Sequence, residues 1–234
     1  MILVTGDIHG FGTPDESARL SRKNKLCREL FASMDKEDYL VICGDFGLLW
    51  NGGASERWWL RWLEEKPYTT LFIDGNHENF AMLDALPAEE WHGGRIHRIS
   101  DSILHLMRGE LFEIEGRTFF TLGGAESHDK PYRIPGVSWW PEELPSEEEL
   151  AHARETLDAC GWQMDGILTH CLPTRLQREV FPGYSYPANA LTDFLETLYD
   201  RADFSTWYAG HYHVSGKVTT DHRVHIIYQT LQLL

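Results

Sequence analysis

Seven side chains of metal-ligating type follow five short apolar segments of the chain. They are Asp7, His9, Asp45, Asn76, His170, His211 and His213. The first two are two positions apart, as are the last two, and side chains at i and i+2 of an extended chain point the same way. Each pair can therefore direct both of its side chains at one ion, or at two neighbouring ions.

The donor set indicates which ions would suit it. Two carboxylates, one carboxamide oxygen and four imidazoles form a mixed oxygen and nitrogen set, which suits Mn, Fe or Zn better than Ca. Seven ligands are too many for one closed tetrahedral zinc site. Two divalent or trivalent ions that share a bridging carboxylate account for the number.

The segments before these ligands predict the elements that position them. They are nearly continuous in β-branched and apolar residues, at 2–4, 39–43, 70–73, 166–169 and 206–209. Strands that are buried on both faces have this composition. Open α/β sheets bind ligands at the carboxyl ends of their strands, so we expect the seven ligands to meet at one rim.

Helical and antiparallel patterns fill the intervals. Apolar residues at helical spacing predict helices near 26–34, 59–66, 146–160 and 191–199, and Ser146 with Glu149 forms a capping box. Residues 103–121 alternate and predict a β-meander, and 218–228 predict a hairpin. Two stretches, 123–145 and 171–187, lack periodicity and are expected to be long functional loops. The sequence has no linker, so we expect a single domain over 1–234, with two packed sheets and helices outside.

The five motifs in order resemble the calcineurin-like metallophosphoesterase superfamily. They are Asp-x-His, Gly-Asp, Gly-Asn-His-Glu, a lone His and Gly-His-x-His, between positions 7 and 213. The resemblance implies an α/β fold, a four-layer αββα sandwich with two mixed β-sheets flanked by helices, and a dinuclear metal centre. One ion would take Asp7, His9, Asp45 and His213; the other would take Asp45, Asn76, His170 and His211. Residues 123–127 and 139–142 are similar to a bacterial single-domain branch.

A mechanism follows from two such ions. A metal-bridging hydroxide would attack phosphorus in a phosphate mono- or diester, and the ions would neutralise the phosphoryl oxygens. His77 lies beside a ligand without being one and is expected to protonate the leaving alkoxide as general acid. Asp74 and Glu78 are both candidates for its acidic partner.

Other functions remain open at this stage. A protein Ser/Thr phosphatase-like activity is less favoured, because Asp45 is followed by Phe46-Gly47-Leu48-Leu49 and not by the acidic residue and arginine of those enzymes. A non-catalytic metal-binding scaffold would keep the fold without turnover. A metallo-β-lactamase-type site needs His-x-His-x-Asp-His, which the sequence does not contain.

The first long loop carries two candidate substrate contacts, His128 and Arg133; the alternative is that both are solvated loop residues. An arginine can bind phosphate through two parallel hydrogen bonds. We expect a small phosphorylated or nucleotide-like substrate, whose identity depends on the loops and not on the metal rim.

Composition excludes several classes of protein. The 234 residues are 42% hydrophobic and 24% charged, which is ordinary for a globular chain and excludes disorder. A net charge of −15 argues against extended nucleic acid and anionic membranes as partners. Four cysteines without CxxC spacing predict free thiols, and the absence of an apolar leader predicts a cytoplasmic location.

Overall fold

The computed structural model describes residues 1–11, 31–183 and 186–234. Thirteen strands in this part of the chain form two mixed sheets. Their bounds are β1 Ile2–Thr5, β2 Tyr39–Cys43, β3 Thr69–Ile73, β4 Ala88–Trp91, β5 Gly94–Ser100, β6 Ile103–Leu106, β7 Glu110–Ile114, β8 Arg117–Leu122, β9 Gly166–Thr169, β10 Thr206–Ala209, β11 Lys217–Val218, β12 Val224–Ile226 and β13 Gln232–Leu233.

The first sheet has seven strands in the order β13-β1-β2-β3-β6-β5-β4. Its centre, from β1 to β6, is parallel, and antiparallel strands close both edges. The second sheet has six strands in the order β11-β12-β10-β9-β8-β7, with a parallel centre from β12 to β8. The five apolar segments all form strands, and each is buried along nearly its whole length.

Helices cover the outer faces of both sheets. They are α1 Ala54–Glu64, α2 Phe80–Leu83, α3 Glu147–Ala159, α4 Thr174–Val180 and α5 Ala190–Arg201, with short 3-10 turns at His9–Phe11, Lys130–Tyr132 and Pro141–Glu143. The first two pack on the first sheet through Trp59, Leu63 and Leu83, and the last three pack on the second. The capping box of Ser146 and Glu149 is present.

A third apolar cluster lies between the two sheets. It joins Val4, Val41 and Leu71 of the first sheet to Phe119 and Leu168 of the second. The layers are therefore helix, sheet, sheet, helix, and the predicted αββα sandwich with two mixed sheets is confirmed.

Three expectations about local structure need correction. The predicted meander is divided, because β6 pairs with β3 and β5 in the first sheet while β7 and β8 belong to the second. The stretch 171–187 is not wholly a loop, since it contains α4. The predicted C-terminal hairpin joins β11 to β12, but Tyr228 lies outside it.

Other expectations fall partly outside the described residues. The helix predicted at 26–34 lies mostly beyond them, as does Cys27. Cys43, Cys160 and Cys171 are free thiols, as predicted. Within the described ranges, no helix is both long and apolar enough to cross a bilayer.

Candidate metal centre

The seven predicted ligands lie on loops that leave five central strands. Three of these strands, β1, β2 and β3, are adjacent and parallel, so their carboxyl ends share one edge of the first sheet. The other two, β9 and β10, are parallel neighbours in the second sheet. The loop after β1 is bonded to the loop after β2 by two backbone hydrogen bonds: Asp7 N–H donates to Gly44 O (3.1 Å), and His9 N–H donates to Asp45 O (2.9 Å).

The backbone of these loops is unusual. Five of the seven ligands have positive φ angles, which are 55° at Asp7, 47° at His9, 53° at Asp45, 71° at His211 and 51° at His213. Each such residue costs on the order of 1–3 kcal/mol, and strain of this kind concentrates at functional sites. The sharp turns bring the side chains back over the strand ends.

Four of the seven side chains form a first group. Ligand atoms of Asp7, His9, Asp45 and His213 all lie within 4.8 Å of one another. His9 Nε2 is 2.9 Å from His213 Nε2 and 3.5 Å from Asp45 Oδ2. His213 Nε2 is 3.6 Å from Asp7 Oδ1.

The other three side chains form a second group around Asn76. Its Oδ1 lies 3.1 Å from both His170 Nε2 and His211 Nδ1. His170 Nε2 is also 3.3 Å from Asp45 Oδ1. The two oxygens of Asp45 thus face the two groups, which is the geometry of a bridging carboxylate.

These distances fit a pair of cations. Two ligand atoms that each lie about 2.0–2.1 Å from one ion are roughly 2.9–3.4 Å apart at right or tetrahedral angles. The six pairs of ligand atoms whose distances are given above are 2.9–3.6 Å apart, within or slightly beyond this range. His170 Nδ1 is 2.9 Å from the Cys43 carbonyl, a contact that leaves Nε2 for the ion.

The titratable side chains of the site are buried, and burial and their mutual charges shift their pKa values. Burial raises the pKa of Asp7 to about 7, and the neighbouring Asp45 carboxylate adds to this effect. Burial also lowers the pKa of His9 to about 4. For His170, burial opposes the proton, but the carboxylates of Asp45 and Asp7 raise its pKa to about 10. Bound cations would favour ionised carboxylates and neutral imidazoles at this site.

Two glycines leave space for the ligands. A Cβ at Gly44, whose φ is +83°, would be 2.1 Å from His170 Nδ1. A Cβ at Gly75 would be 2.2 Å from Asp45 Oδ1. Only glycine allows the backbone to come so close to these side chains.

His77 lies beside the two groups but is not part of them. Its backbone N–H donates to Asp45 Oδ1 (2.8 Å), and its ring packs at 85° against His9 with 5.0 Å between centroids. Arg133 contacts both ring nitrogens, with Nη2 2.9 Å from Nε2 and Nη1 3.4 Å from Nδ1. Arg133 Nε in turn bonds to Asp129 at 2.7 Å.

Neither expected acidic partner contacts the His77 ring. Asp74 is bonded to Arg108 and His105. Glu78 accepts the backbone N–H groups of Phe46 (2.8 Å), Gly47 (3.1 Å) and Gly75 (3.3 Å), so it fixes the loops after β2 and β3. Asp129 reaches this ring through Arg133, and no sequence pattern indicates that role.

The second candidate substrate contact, His128, also lies at this rim. Its ring stacks on Tyr186 at 3.7 Å and 12°, and it lies 5.7 Å from His211 between ring centroids. His128 and Arg133 both belong to the long loop over 123–145, which the sequence singles out only by its lack of periodicity.

A family model described as calcineurin-like phosphoesterase matches residues 1–215. The chain belongs to the calcineurin-like phosphoesterase family. The resemblance in the five motifs is confirmed, and the match covers all seven candidate ligands of this phosphoesterase fold together with His77.

Comparison with solved structures supports the fold. A Staphylococcus aureus protein, described as a candidate 5′-nucleotidase and crystallised with α-ketoglutarate, matches with a TM-score of 0.52 and 15% sequence identity. The match covers 97% of this chain and 48% of that one, so this chain spans about half the length of that protein. At this identity the likeness concerns the fold alone. No curated protein matches the sequence.

Proposed function

We propose that the chain is a metal-dependent phosphoesterase that hydrolyses small phosphate mono- or diesters, nucleotide-like ones included. Two cations, Mn, Fe or Zn, would be held by the seven ligands and bridged by Asp45. The observation that carries this proposal is the division of the Asp45 oxygens, with Oδ2 3.5 Å from His9 Nε2 and Oδ1 3.3 Å from His170 Nε2. Family membership supports the reaction class, phosphoric ester hydrolysis.

Bound cations supply an acidified water and neutralise charge that develops on the phosphoryl oxygens. The protein's own contribution starts with Arg133, whose guanidinium donates and cannot accept. His77 Nε2, 2.9 Å from Arg133 Nη2, therefore accepts a hydrogen bond and carries no proton there. A substrate phosphate would draw Arg133 away from His77.

The transfer of Arg133 from His77 to the substrate phosphate would prepare His77 to act as general acid. Burial and the Arg133 charge lower the pKa of His77, whereas Asp45 raises it. Once Arg133 is paired with a phosphate, its effect on the imidazole is neutralised, and His77 takes up a proton more readily. It can then donate that proton to the leaving alkoxide. His128, stacked on Tyr186, would contact the rest of the substrate.

The proposal is tested with Mn-loaded protein on a chromogenic diester, a chromogenic monoester and a phosphopeptide. We expect ester hydrolysis that a chelator abolishes, with two ions per chain by elemental analysis. His77→Ala should lower turnover by about 10²- to 10⁴-fold and keep both ions. His152→Ala is a matched control, since the ring of His152, in α3, bonds to Glu110 of β7 and not to the site.

Two outcomes would contradict it. Full metal occupancy without turnover on the whole panel would favour a non-catalytic scaffold. Loss of metal from the His77→Ala variant would make His77 a ligand and not the acid.

A further inference from the structure

The carboxamide of Asn76 must present its oxygen, and not its nitrogen, to the second group of ligands. Oδ1 lies 3.1 Å from His170 Nε2 and from His211 Nδ1. At the other end, Nδ2 donates to Ser127 Oγ at 3.0 Å. Both Asn76 and Ser127 are buried, so this bond is shielded from bulk solvent.

Ser127 is itself held in place by Glu143. Ser127 N–H donates to Glu143 Oε1 at 3.0 Å, and Ala125 N–H donates to the Glu143 carbonyl at 3.1 Å. Glu143 is 1% exposed. A segment of three residues is thus fixed by two bonds to one buried glutamate.

The same loop is anchored to the segment that follows β3 and carries Asn76. Gly124 N–H donates to the Asp74 carbonyl at 3.0 Å, two residues before Asn76. Arg108 bonds the Asp74 carboxylate through Nη2 at 2.6 Å and the Glu142 carbonyl at 2.8 Å. The distance between Ser127 and Asn76 is therefore set by the end of β3 and not by a free loop.

We propose that Ser127, held by Glu143, is a positioning residue that fixes the Asn76 carboxamide with its oxygen toward the second cation. The inference rests on the proposed metal centre. It gives a role to Ser127 and Glu143, which lie in the long loop over 123–145.

The physical reason is a choice between two amide orientations. A cation selects the orientation with Oδ1 toward it, because rotation of the amide would direct an N–H₂ group at the ion. In that orientation Ser127 Oγ accepts from Nδ2. Without the hydroxyl, Nδ2 is a buried donor without this partner, and the orientation that binds the ion loses this hydrogen bond. Loss of a partner that orients a metal ligand typically costs about 10- to 100-fold in metal affinity.

Ser127→Ala and Ser127→Thr test this directly. Mn²⁺ is titrated into chelator-treated protein by calorimetry, and Co²⁺ binding is followed by its visible absorption spectrum. We expect Ser127→Ala to weaken one of the two binding events about 10- to 100-fold, with an altered Co²⁺ spectrum for that event alone. Ser127→Thr keeps the hydroxyl and should restore wild-type affinity.

The role of Glu143 is tested in the same way. Glu143→Gln keeps the acceptor for Ser127 N–H, so this variant should bind the same ion more tightly than Glu143→Ala does.

Ser138→Ala is the control for removing a hydroxyl from this loop. Its Oγ accepts Ile134 N–H at 2.9 Å and should leave both metal affinities unchanged. Thermal unfolding of each variant with chelator present measures any general loss of stability.

Three results would overturn the inference: unchanged affinities in Ser127→Ala, equal weakening of both ions, or a Ser127→Thr variant as weak as the alanine variant. Two ions without phosphoesterase turnover in the wild-type chain would refute the proposed function and leave this inference standing. A wild-type chain that binds fewer than two ions would refute both.

Discussion

The Asp45 carboxylate illustrates how single residues decide the chemistry of this chain. It is 1% exposed, and burial alone would raise its pKa. The neighbouring His170, His77 and His9 outweigh burial and hold the pKa of Asp45 well below its usual range. In the proposed metal centre, this ionised carboxylate would bind an ion on each side, and the other ligands would complete the two sites.

The pair of Arg133 and His77 predicts a pH effect. Arg133→Ala removes a positive charge that, together with burial, lowers the pKa of His77, so that pKa should rise. A general acid with a higher pKa stays protonated to higher pH. The alkaline limb of the kcat/KM profile should therefore move to higher pH. At the optimum kcat/KM should fall about 10- to 100-fold, because a charge-assisted contact to phosphate is lost.

Asp129→Asn is the matched variant for this measurement. The Asp129 charge raises the pKa of His77, so its removal should move the same limb to lower pH. Profiles of both variants that coincide with the wild type would show that His77 is not the titrating acid.

Gly44 gives a prediction about the space available to a ligand. In Gly44→Ala the methyl group would be 2.1 Å from His170 Nδ1, and the φ of +83° would cost an alanine a further 1–2 kcal/mol or so. We expect the variant to lose the ion held by His170 and to unfold at lower temperature. Gly52→Ala is the control, since its φ is +64° but no atom lies within 4 Å of the added carbon. Equal metal content in the two variants would show that a methyl group at position 44 does not displace His170 from the ion.

At the scale of elements, the sequence predicted the central strands best. Segments such as 39–43 and 166–169 are apolar along their whole length because each of these strands is buried on both faces. The division of 103–121 between two sheets was not predictable, since alternation reports one buried face but not the sheet that covers it. The edge strand β4, Ala-Glu-Glu-Trp, has exposed positions and gave no apolar signal. The seven-residue α4 is too short to show a helical period.

The ion pair of Asp74, which follows β3, with Arg108, which follows β6, predicts that the folded chain loses stability in acid. Burial raises the pKa of Asp74, but the Arg108 and His105 charges outweigh it and hold the pKa well below the ordinary 3.8. The unfolded chain therefore takes up this proton at higher pH than the folded one. The stability from Asp74 is complete above about pH 4 and is lost as pH falls through the lower, folded pKa.

Asp74→Asn should remove this contribution and leave Arg108 buried without its main partner. We expect a loss of about 3–5 kcal/mol in the free energy of unfolding at pH 7, with a smaller difference from wild type at pH 3. Urea unfolding of both proteins in chelator measures this. Asp101→Asn, at an exposed position, should match wild type at both pH values. If Asp74→Asn lowered the free energy of unfolding by the same amount at both pH values, the link between Asp74 protonation and stability would be contradicted.

At the scale of the whole molecule, the candidate metal centre joins the two sheets. Asp7, His9, Asp45 and Asn76 follow strands of the first sheet, and His170, His211 and His213 follow strands of the second. Sequence reasoning predicted this convergence, because ligands cluster at the carboxyl ends of parallel strands. It did not predict the contacts of Ser127 or Arg133. Each lies about 50 positions from its partner, at 51 residues for Asn76–Ser127 and 56 for His77–Arg133, and no local pattern encodes such a contact.

An ion that joins two sheets should stabilise the folded chain. Cations bind the assembled ligands of the native state and not the separated ligands of the unfolded chain, so a single ion at 100 times its Kd adds about 2.7 kcal/mol. For a chain of this size that raises Tm by roughly 5–10 °C. The measurement is thermal unfolding of chelator-treated protein with and without Mn²⁺.

Because the net charge is −15, a cation could also stabilise the chain by binding its acidic surface. Asp45→Asn separates the two effects: it keeps an acceptor for His77 N–H but removes the shared charge, so its Tm should rise far less with Mn²⁺. An equal rise in both proteins would place the stabilising ions elsewhere on the surface.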